Sequence, residues 1–266
     1  MKSQQVMRKQ LLLSVFFIFG FANCLIAQRG FSSEIGVIAG PVSFQSDYGE
    51  RSELGAYMGN TGFGIGFIHY VNLSYIGYNH YKPETYFDEH FKLRTEISYT
   101  KSKFQHYGRW VDNSNNSLGV QQLRAMRGET EIINLGLQLE YYLTNVHYFE
   151  NTTGSYNPYF SVGAHCSFYN PKAYSLLGPL DNSITTMPKY IGATTNSSGS
   201  VMSIVGSVGT RYKLDPLSDL IFEVKMQYYF SDWVDGLRPD PTIYTENKAN
   251  DWLVWLNVGY IYYLDQ

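Results

Sequence analysis

The stretch from Asp251 to Leu264, DWLVWLNVGYIYYL, constrains the fold more than any other part of the chain. Its residues alternate so that one face, from Trp252 to Leu264, is entirely apolar or aromatic. Successive side chains of a strand point to opposite faces, and Trp, Tyr, Val and Ile favour strands. A tilted strand needs roughly 9–11 residues to cross a hydrocarbon layer. The stretch therefore predicts a strand long enough to cross a membrane, with one face suited to lipid.

The end of this stretch resembles the C-terminal sorting signal of bacterial outer-membrane barrels. That signal combines a polar residue, a glycine, an aromatic or apolar residue and a final apolar residue. The matching residues are Asn257, Gly259, Tyr262 and Leu264, although two further residues follow the last of them. The alternative interpretation is the closing strand of a secreted β-sandwich.

The beginning of the chain has the pattern of an export signal. Basic residues precede an apolar run from Leu11 to Ala27 that ends in small residues. We expect a signal peptide at residues 1–27, cleaved before Gln28, and a barrel domain at residues 28–266. A lipoprotein signal at Cys24 is the alternative, and the asparagine that precedes this cysteine disfavours it.

Composition favours a barrel over a soluble exported domain. Charged residues make up 16% of the chain, against about 25% in typical soluble domains, and aromatic residues make up 17%. No other run approaches the roughly 20 apolar residues of a spanning helix, so a closed barrel is the remaining way to satisfy the backbone in lipid.

The net charge of −3 gives no electrostatic basis for binding nucleic acid. After cleavage Cys166 is the single cysteine, so no internal disulfide is expected, and no cofactor is expected either.

Eight segments alternate between apolar and polar residues. We predict an all-β fold, a single closed antiparallel eight-stranded transmembrane β-barrel; ten strands remain open if residues 56–57 or 190–195 extend hairpins. The predicted strands are about Glu34–Ala39, Thr61–Val71, His90–Thr100, Glu129–Leu143, Pro158–Tyr169, Val201–Leu214, Leu220–Phe230 and Asp251–Leu264.

The polar faces of these strands predict the contents of the barrel interior. In a membrane barrel the apolar faces point to lipid, whereas a soluble barrel would reverse both faces. A slip of one residue in the seventh strand would put Lys225 into lipid at a cost of roughly 2–4 kcal/mol. Eight strands leave room only for side chains, so we favour a plug of paired charges over an ion path. The predicted interior residues are Glu34, Lys92, Arg94, Glu96, Gln138, Glu140, Arg211, Glu223, Lys225 and Gln227.

The lengths of the connections predict an orientation. With the N-terminus in the periplasm, residues 40–60, 108–128, 170–200 and 231–250 become outer loops, and residues 72–89, 144–157 and 215–219 become inner turns. The outer set is longer, as in known outer-membrane barrels. Arg124, Met126 and Arg127 then fall in an outer loop that could contact anionic lipopolysaccharide.

Three motifs raise the question of specific chemistry. The glycines of GFGIGF (residues 62–67) lack dinucleotide-loop spacing and instead suit close packing against large interior side chains. His165 and Ser167 share one face and, with Glu140 or Glu223, could form a Ser/His/acid set; outer-membrane lipid A deacylases carry a similar His-x-Ser pair. We favour a structural role for both residues and expect no enzyme.

The turn before the third strand concentrates side chains that can bind metals. They are His80, Glu84, Asp88, Glu89 and His90. Their spacing does not match a tight set of ligands, so a solvated polar turn is the favoured interpretation.

Most of the chain resembles a family of small outer-membrane barrels of Bacteroidota, particularly flavobacteria. The resemblance rests on the cleavage site at Ala27 and on the segments at residues 34–49, 60–70 and 90–98. The chain is more loosely similar to the PorG barrels of the type IX secretion and gliding apparatus, from which it departs after the first strand.

These resemblances imply a structural or interaction component of the outer membrane, with an accessory role in a secretion or gliding machine as its specific form. The expected partners are outer-membrane lipid and lipopolysaccharide, the barrel-assembly machinery during biogenesis, and a protein partner in an outer-membrane complex. The alternatives are a narrow channel for small solutes and, less favoured, a lipid A-modifying enzyme.

Overall fold

The computed structural model describes residues 32–49, 54–72, 85–244, 247 and 249–264. The predicted signal peptide at residues 1–27 lies outside the described residues, as do His80 and Glu84 of the polar turn.

The described chain forms eight strands, four short α-helices and two 3-10 turns. The helices are α1 (Leu54–Gly59), α2 (Tyr86–His90), α3 (Leu118–Ala125) and α4 (Val146–Glu150), and the 3-10 turns are Arg109–Val111 and Pro188–Tyr190. The strands are β1 (Ser32–Gln45), β2 (Thr61–Asn72), β3 (Phe91–Gln105), β4 (Met126–Tyr142), β5 (Tyr156–Ser175), β6 (Gly199–Asp215), β7 (Ser218–Tyr229) and β8 (Trp252–Tyr263).

The strands close into one antiparallel barrel in chain order. Each strand pairs with the next, and β1 also pairs with β8, where Val37 lies opposite Tyr260. The prediction of a closed eight-stranded all-β barrel is therefore confirmed. The two segments that left ten strands open contain α1 and a 3-10 turn instead.

Several strands extend beyond their predicted ends, mostly at the end where the longer connections lie. Pairing of β1 continues through Gly40 and Pro41 to Gln45, and β5 continues past Tyr169 to Ser175. The predicted ends were wrong because backbone hydrogen bonds persist where the alternation of apolar and polar residues stops. The connections at this end, here called the long-loop end, are 46–60, 106–125, 176–198 and 230–251. The described residues at the opposite end are 85–90, 143–155 and 216–217.

The barrel is apolar outside and polar inside. On β4 the outward Ile133, Leu135 and Leu137 are about half exposed, whereas the inward Asn134 and Gln138 are buried. The pleat makes this alternation strict, so a shift by one residue would exchange the two faces of the whole strand. None of the described helices is long and apolar enough to span a bilayer.

Inward glycines let large side chains fit inside a narrow barrel. At Gly64, in the GFGIGF segment, a Cβ atom would lie 2.8 Å from the buried indole of Trp255. At Gly136 it would lie 1.8 Å from the ring of His165 and 2.6 Å from the backbone oxygen of Ala164. Both positions therefore exclude any side chain without a shift of their neighbours.

Gly136→Ala is expected to lower the free energy of unfolding by about 1–3 kcal/mol, because the new methyl group overlaps both a ring and a backbone oxygen. Reversible urea unfolding in lipid vesicles, followed by tryptophan fluorescence, measures the change. Gly206→Ala is the matched control, since its Cβ atom would meet nothing nearer than 3.8 Å. Equal stability of the two variants would contradict the interior packing described here.

Candidate functional site: the barrel interior and the long-loop end

The ten residues predicted to line the interior are all buried in it. The strands add Lys213 and Asp219, which the sequence analysis missed. Both keep the inward parity of their strands: Lys213 lies inside the predicted sixth strand, two residues after Arg211, and Asp219 lies one residue before the predicted seventh strand. The strands then contribute five acids and five bases to the interior, and Glu150 of α4 also reaches it, with a carboxylate oxygen 2.9 Å from Lys92 Nζ. The acids are Glu34, Glu96, Glu140, Asp219 and Glu223, and the bases are Lys92, Arg94, Arg211, Lys213 and Lys225.

Arg94 lies at the centre of the larger group of charges. Its guanidinium contacts carboxylate oxygens of Glu223 at 2.7 Å, Glu96 at 2.7 Å and Glu140 at 3.1 Å. Lys225 joins the same group, with its Nζ 2.6 Å from Glu96. Three strands, β3, β4 and β7, contribute these side chains, so the charges link β7 to β3 and β4 across the barrel.

A second group of charges lies nearer the end opposite the long loops. Arg211 Nη1 donates to Glu34 at 2.6 Å and to Asp219 at 3.3 Å. The ammonium of Lys92 pairs with the second oxygen of Glu34. Lys213 lies 3.2 Å from the other oxygen of Asp219.

Tyrosine side chains contact both charge groups, through hydrogen bonds to carboxylates and through a cation–π contact. The hydroxyl of Tyr159 donates to Glu223 at 2.7 Å and that of Tyr142 to Glu140 at 2.5 Å. The guanidinium of Arg211 lies 4.1 Å from the centre of the Tyr70 ring, within the range of a cation–π contact. Because buried ions are tolerated only when they are paired and hydrogen-bonded, these rings and hydroxyls stabilise the arrangement.

A neutral layer of amides and hydroxyls follows toward the long-loop end. Gln227 Nε2 lies within hydrogen-bond distance of Asn134 Oδ1 at 2.9 Å, Ser167 Oγ at 3.0 Å and Ser203 Oγ at 2.8 Å. Ser167 itself donates to Asn134 at 2.7 Å. The Ser167 hydroxyl is thus engaged in a structural network.

His165 and Ser167 do share the interior face, but their hydrogen-bond partners differ. His165 Nε2 lies 3.2 Å from the amide nitrogen of Gln138, and no hydrogen bond among the described residues links His165 to Ser167, Glu140 or Glu223. Both side chains are fully buried. The arrangement is not a preformed Ser/His/acid set.

Aromatic and aliphatic side chains close the barrel at the long-loop end. Phe44 packs against Phe104 with ring centres 5.1 Å apart, and against Tyr229 at 6.0 Å. Trp255 and Leu253 are buried in the same apolar cluster. This apolar layer separates the polar interior from the loops above it.

The connections at the long-loop end interlock into a cap over this layer. Asp235 accepts the backbone N–H of Asp47, 188 positions earlier, at 2.7 Å and that of Leu237 at 2.7 Å. Burial, followed by the neighbouring Asp47 carboxylate, raises the pKa of Asp235 well above its usual range. The backbone of residue 238 donates to the carbonyl of Ala193 at 2.8 Å, and Gln122 donates to that of Ser183 at 2.9 Å. The first connection is therefore joined to the fourth, the fourth to the third and the third to the second.

The predicted lipopolysaccharide contact at residues 124–127 needs correction. Met126 begins β4 and is buried, so it is not a loop residue. Arg124 donates to the carbonyls of Val111 at 2.9 Å and Asn115 at 2.8 Å, and Arg127 donates to that of Met126 at 2.9 Å. These arginines are used to fold their own loop.

The exterior carries ion pairs near the long-loop end. Lys101 lies 2.6 Å from Glu131, and Lys172 lies 3.1 Å from Glu129, all partly exposed. Toward the opposite end a chain of hydrogen bonds runs along the outer face, in which His69 contacts Ser33 at 2.7 Å. Neither group was anticipated from the sequence.

The remaining predicted residues have local structural roles. Asp88 forms a capping box with Thr85 at the start of α2, and His90 contacts the carbonyl of Tyr142 at 2.8 Å. Within the described residues, no three His, Cys, Asp or Glu side chains are placed to hold a metal ion.

The residues of the proposed sorting signal divide between the two faces of β8. Asn257 points inward and donates to Glu223 at 3.0 Å, and Gly259 shares that inward face. Tyr262 and Leu264 are exposed. Use of these residues as a signal stays a prediction.

No protein-family model and no curated protein sequence matches this chain. Solved structures of similar architecture include Ail, the attachment invasion locus protein of Yersinia pestis, in complex with the heparin analogue sucrose octasulfate (11% identity, 88% of this chain and 99% of that one, TM-score 0.41). Neisserial surface protein A gives 14% identity, 88% and 99% coverage and a TM-score of 0.43. A major outer membrane protein from Thermus thermophilus gives 13% identity, 87% and 99% coverage and a TM-score of 0.45. The assignment of the fold rests on the strand pairing of this chain, and these similarities say nothing about its function.

Two ion pairs of equal length, one buried and one exposed, allow a test of how burial changes the contribution of an ion pair to the free energy of unfolding. Lys225 and Lys101 each lie 2.6 Å from a glutamate, but the first pair is fully buried and the second is about a third exposed. Lys225→Met leaves Glu96 short of positive charge in the interior, so unfolding free energy should fall by about 3–5 kcal/mol. Lys101→Met should change it by less than about 1 kcal/mol. Urea unfolding in vesicles measures both, and similar values for the two variants would contradict a tightly coupled interior.

Proposed function

We propose that this chain is an outer-membrane barrel with a sealed interior that acts as a structural and interaction component, presenting its capped loop end to partners. The single observation that carries the proposal is the reversed polarity: ten charges are buried inside, and half-exposed apolar side chains cover the outside. In water this arrangement would expose the apolar surface and bury the charges. In a bilayer the apolar outside contacts lipid, and the charges inside pair with one another.

The height of the apolar band supports a membrane position. On β3 the outward face is apolar or hydroxylated from Phe91 to Tyr99, which is nine residues, and Lys101 follows. Nine tilted residues match the roughly 9–11 that cross a hydrocarbon core. The charges around Lys101 would then lie at the level of the lipid headgroups, where contact with lipopolysaccharide is expected.

Aromatic pairs lie at both borders of this band. Such girdles at the two interfaces are typical of membrane barrels. The pairs are Phe91–Tyr141 (5.1 Å) and Tyr156–Tyr212 (4.8 Å) at one border, and Tyr57–Trp252 (5.7 Å) and Tyr228–Phe230 (5.8 Å) at the long-loop border.

The packed interior favours an interaction role over conduction. The ion pairs cross the barrel at the level of Arg94, and the layer around Phe44 fills the long-loop end. An ion path would require these groups to separate. Discrete single-channel openings of the wild-type protein in planar bilayers would contradict this part of the proposal.

The narrower hypothesis concerns the partner. The resemblance given above suggests an accessory role in a secretion or gliding machine, and the interlocked cap offers a rigid surface for such a contact. Recognition by the barrel-assembly machinery through the C-terminal strand is part of the same proposal. Crosslinking in native membranes followed by purification tests it: a barrel that always isolates alone would count against a stable complex.

Heat-modifiability tests the membrane barrel itself. Protein extracted from the outer-membrane fraction should migrate faster on gels without boiling than after boiling, because a closed barrel in detergent stays compact. Gly136→Ala should lower the temperature at which the fast band disappears, and Gly206→Ala should leave it unchanged. Recovery of the protein in the soluble periplasmic fraction, without a shift on boiling, would refute the proposal.

A further inference from the structure

A cavity of about 720 Å³ opens among the loops at the long-loop end. Three of the four outer connections reach it with large side chains, and the first contributes Gly49. Its volume lies in the range of about 300–1,000 Å³ that is usual for small-molecule sites. The side chains that matter for its chemistry are His106, Trp110, Leu123, Met187, Lys189 and Tyr244.

His106 forms part of the cavity lining and is held rigidly. Its ring packs between Tyr48 and Tyr190, with ring centres 5.2 and 5.3 Å away. Its Nδ1 accepts the backbone N–H of Gly49 at 3.0 Å, so this nitrogen carries no proton. Burial, followed by the charge of Lys189, lowers the pKa of His106 to about 3, so the ring is neutral and the proton is on Nε2.

That Nε2–H group has no hydrogen-bond partner among the described residues, although His106 is only 7% exposed. A buried donor without an acceptor costs free energy comparable to a lost hydrogen bond. The bond to Gly49 accounts for Nδ1 of the ring and leaves Nε2–H as the group without an acceptor. An acceptor on a ligand in the cavity would satisfy the group.

The lining carries two cations and, among the described lining residues, no acid. Lys189 Nζ lies 5.1 Å from the centre of the Tyr244 ring, and the guanidinium of Arg109 lies 4.9 Å from that of Trp110. Leu123 adds an apolar wall. The cavity thus combines positive charge with flat and apolar surfaces.

We propose that this cavity binds a small organic anion, a carboxylate on an aromatic or hydrocarbon body. The carboxylate would accept the His106 Nε2–H bond and lie near Lys189, while the body packs against the aromatic and apolar walls. This goes beyond the structural role proposed above, because it assigns the barrel a ligand. It does not depend on which partner the cap contacts.

The test compares 2-naphthoate with its neutral amide, 2-naphthamide, by calorimetric titration of the full barrel in lipid nanodiscs, with empty nanodiscs subtracted. The two probes share the same ring system, so they pack on the walls in similar ways, and the subtraction removes their partitioning into lipid. One charge-assisted hydrogen bond predicts that the carboxylate binds about tenfold more tightly than the amide, or more.

Lys189→Gln should remove most of this preference, because the charge near the carboxylate is lost. Lys189 is half-buried in a loop outside the barrel wall, so its loss leaves the fold intact. Lys103→Gln is the matched control, a lysine on the exterior of β3 that does not line the cavity, and it should leave the preference unchanged.

His106→Phe removes the donor and keeps the stacking between the two tyrosines; it also removes the acceptor of the Gly49 N–H, so binding of 2-naphthamide is the check that the cavity is still formed. It should weaken binding of 2-naphthoate about tenfold and leave binding of 2-naphthamide within about twofold, with heat-modifiability confirming that the barrel is closed. Absence of any binding to the wild type, equal binding of both probes, or a preference that survives both Lys189→Gln and His106→Phe would overturn the proposal.

Discussion

The pairing of ten buried charges is the interaction on which the rest of this structure depends. Arg94 alone holds three glutamates drawn from three strands, and every interior acid meets a base or a hydroxyl. Removing a charge of this kind from water is expensive, and the cost is offset only if partner and geometry are both preserved. The registers of β1, β3, β4, β6 and β7 are therefore fixed from inside by charge and from outside by the apolar band.

This constraint also explains the division of the molecule along its axis. Charges occupy the part of the interior toward the shorter connections, an amide and hydroxyl layer follows at Gln227, and an aromatic layer at Phe44 closes the barrel. Above it, Asp235 and its backbone donors hold the loops together. The barrel wall is thus a rigid support, and the cap and the cavity that it contains are the parts able to differ in chemistry from other barrels.

Strict alternation in the strands made much of the fold and the interior predictable. Glu223, Lys225 and Gln227 were assigned to the interior because they alternate with the apolar residues of the seventh strand, and a pleated strand permits no other arrangement. Asp219 was missed because it lies just before the predicted seventh strand, whereas Lys213 lay inside the predicted sixth strand and was left out of the interior set. Extension of β1 and β5 was missed because residues such as Pro41 and Asn170 interrupt the pattern, while the backbone continues to pair.

The loop end could not be predicted in the same way. The contact between Asp47 and Asp235 joins residues 188 positions apart, and no periodic pattern in either loop predicts it. His106 was overlooked because a single histidine after a strand carries no signal until its neighbours, Tyr48 and Tyr190, are known. Long-range packing, which no local pattern in the loops predicts, joins them into a cap.

The most direct test of the account is oxygen accessibility along β4. A cysteine-free chain carrying one spin label at a time, at each position from 132 to 140 except 136, would be reconstituted in vesicles and relaxation by oxygen would be measured. Labels at Ile133, Leu135, Leu137 and Leu139 should show high accessibility typical of lipid, alternating with low values at the positions between them. High accessibility at the intervening positions instead, or no alternation, would contradict a barrel with its charges inside and its apolar face in lipid.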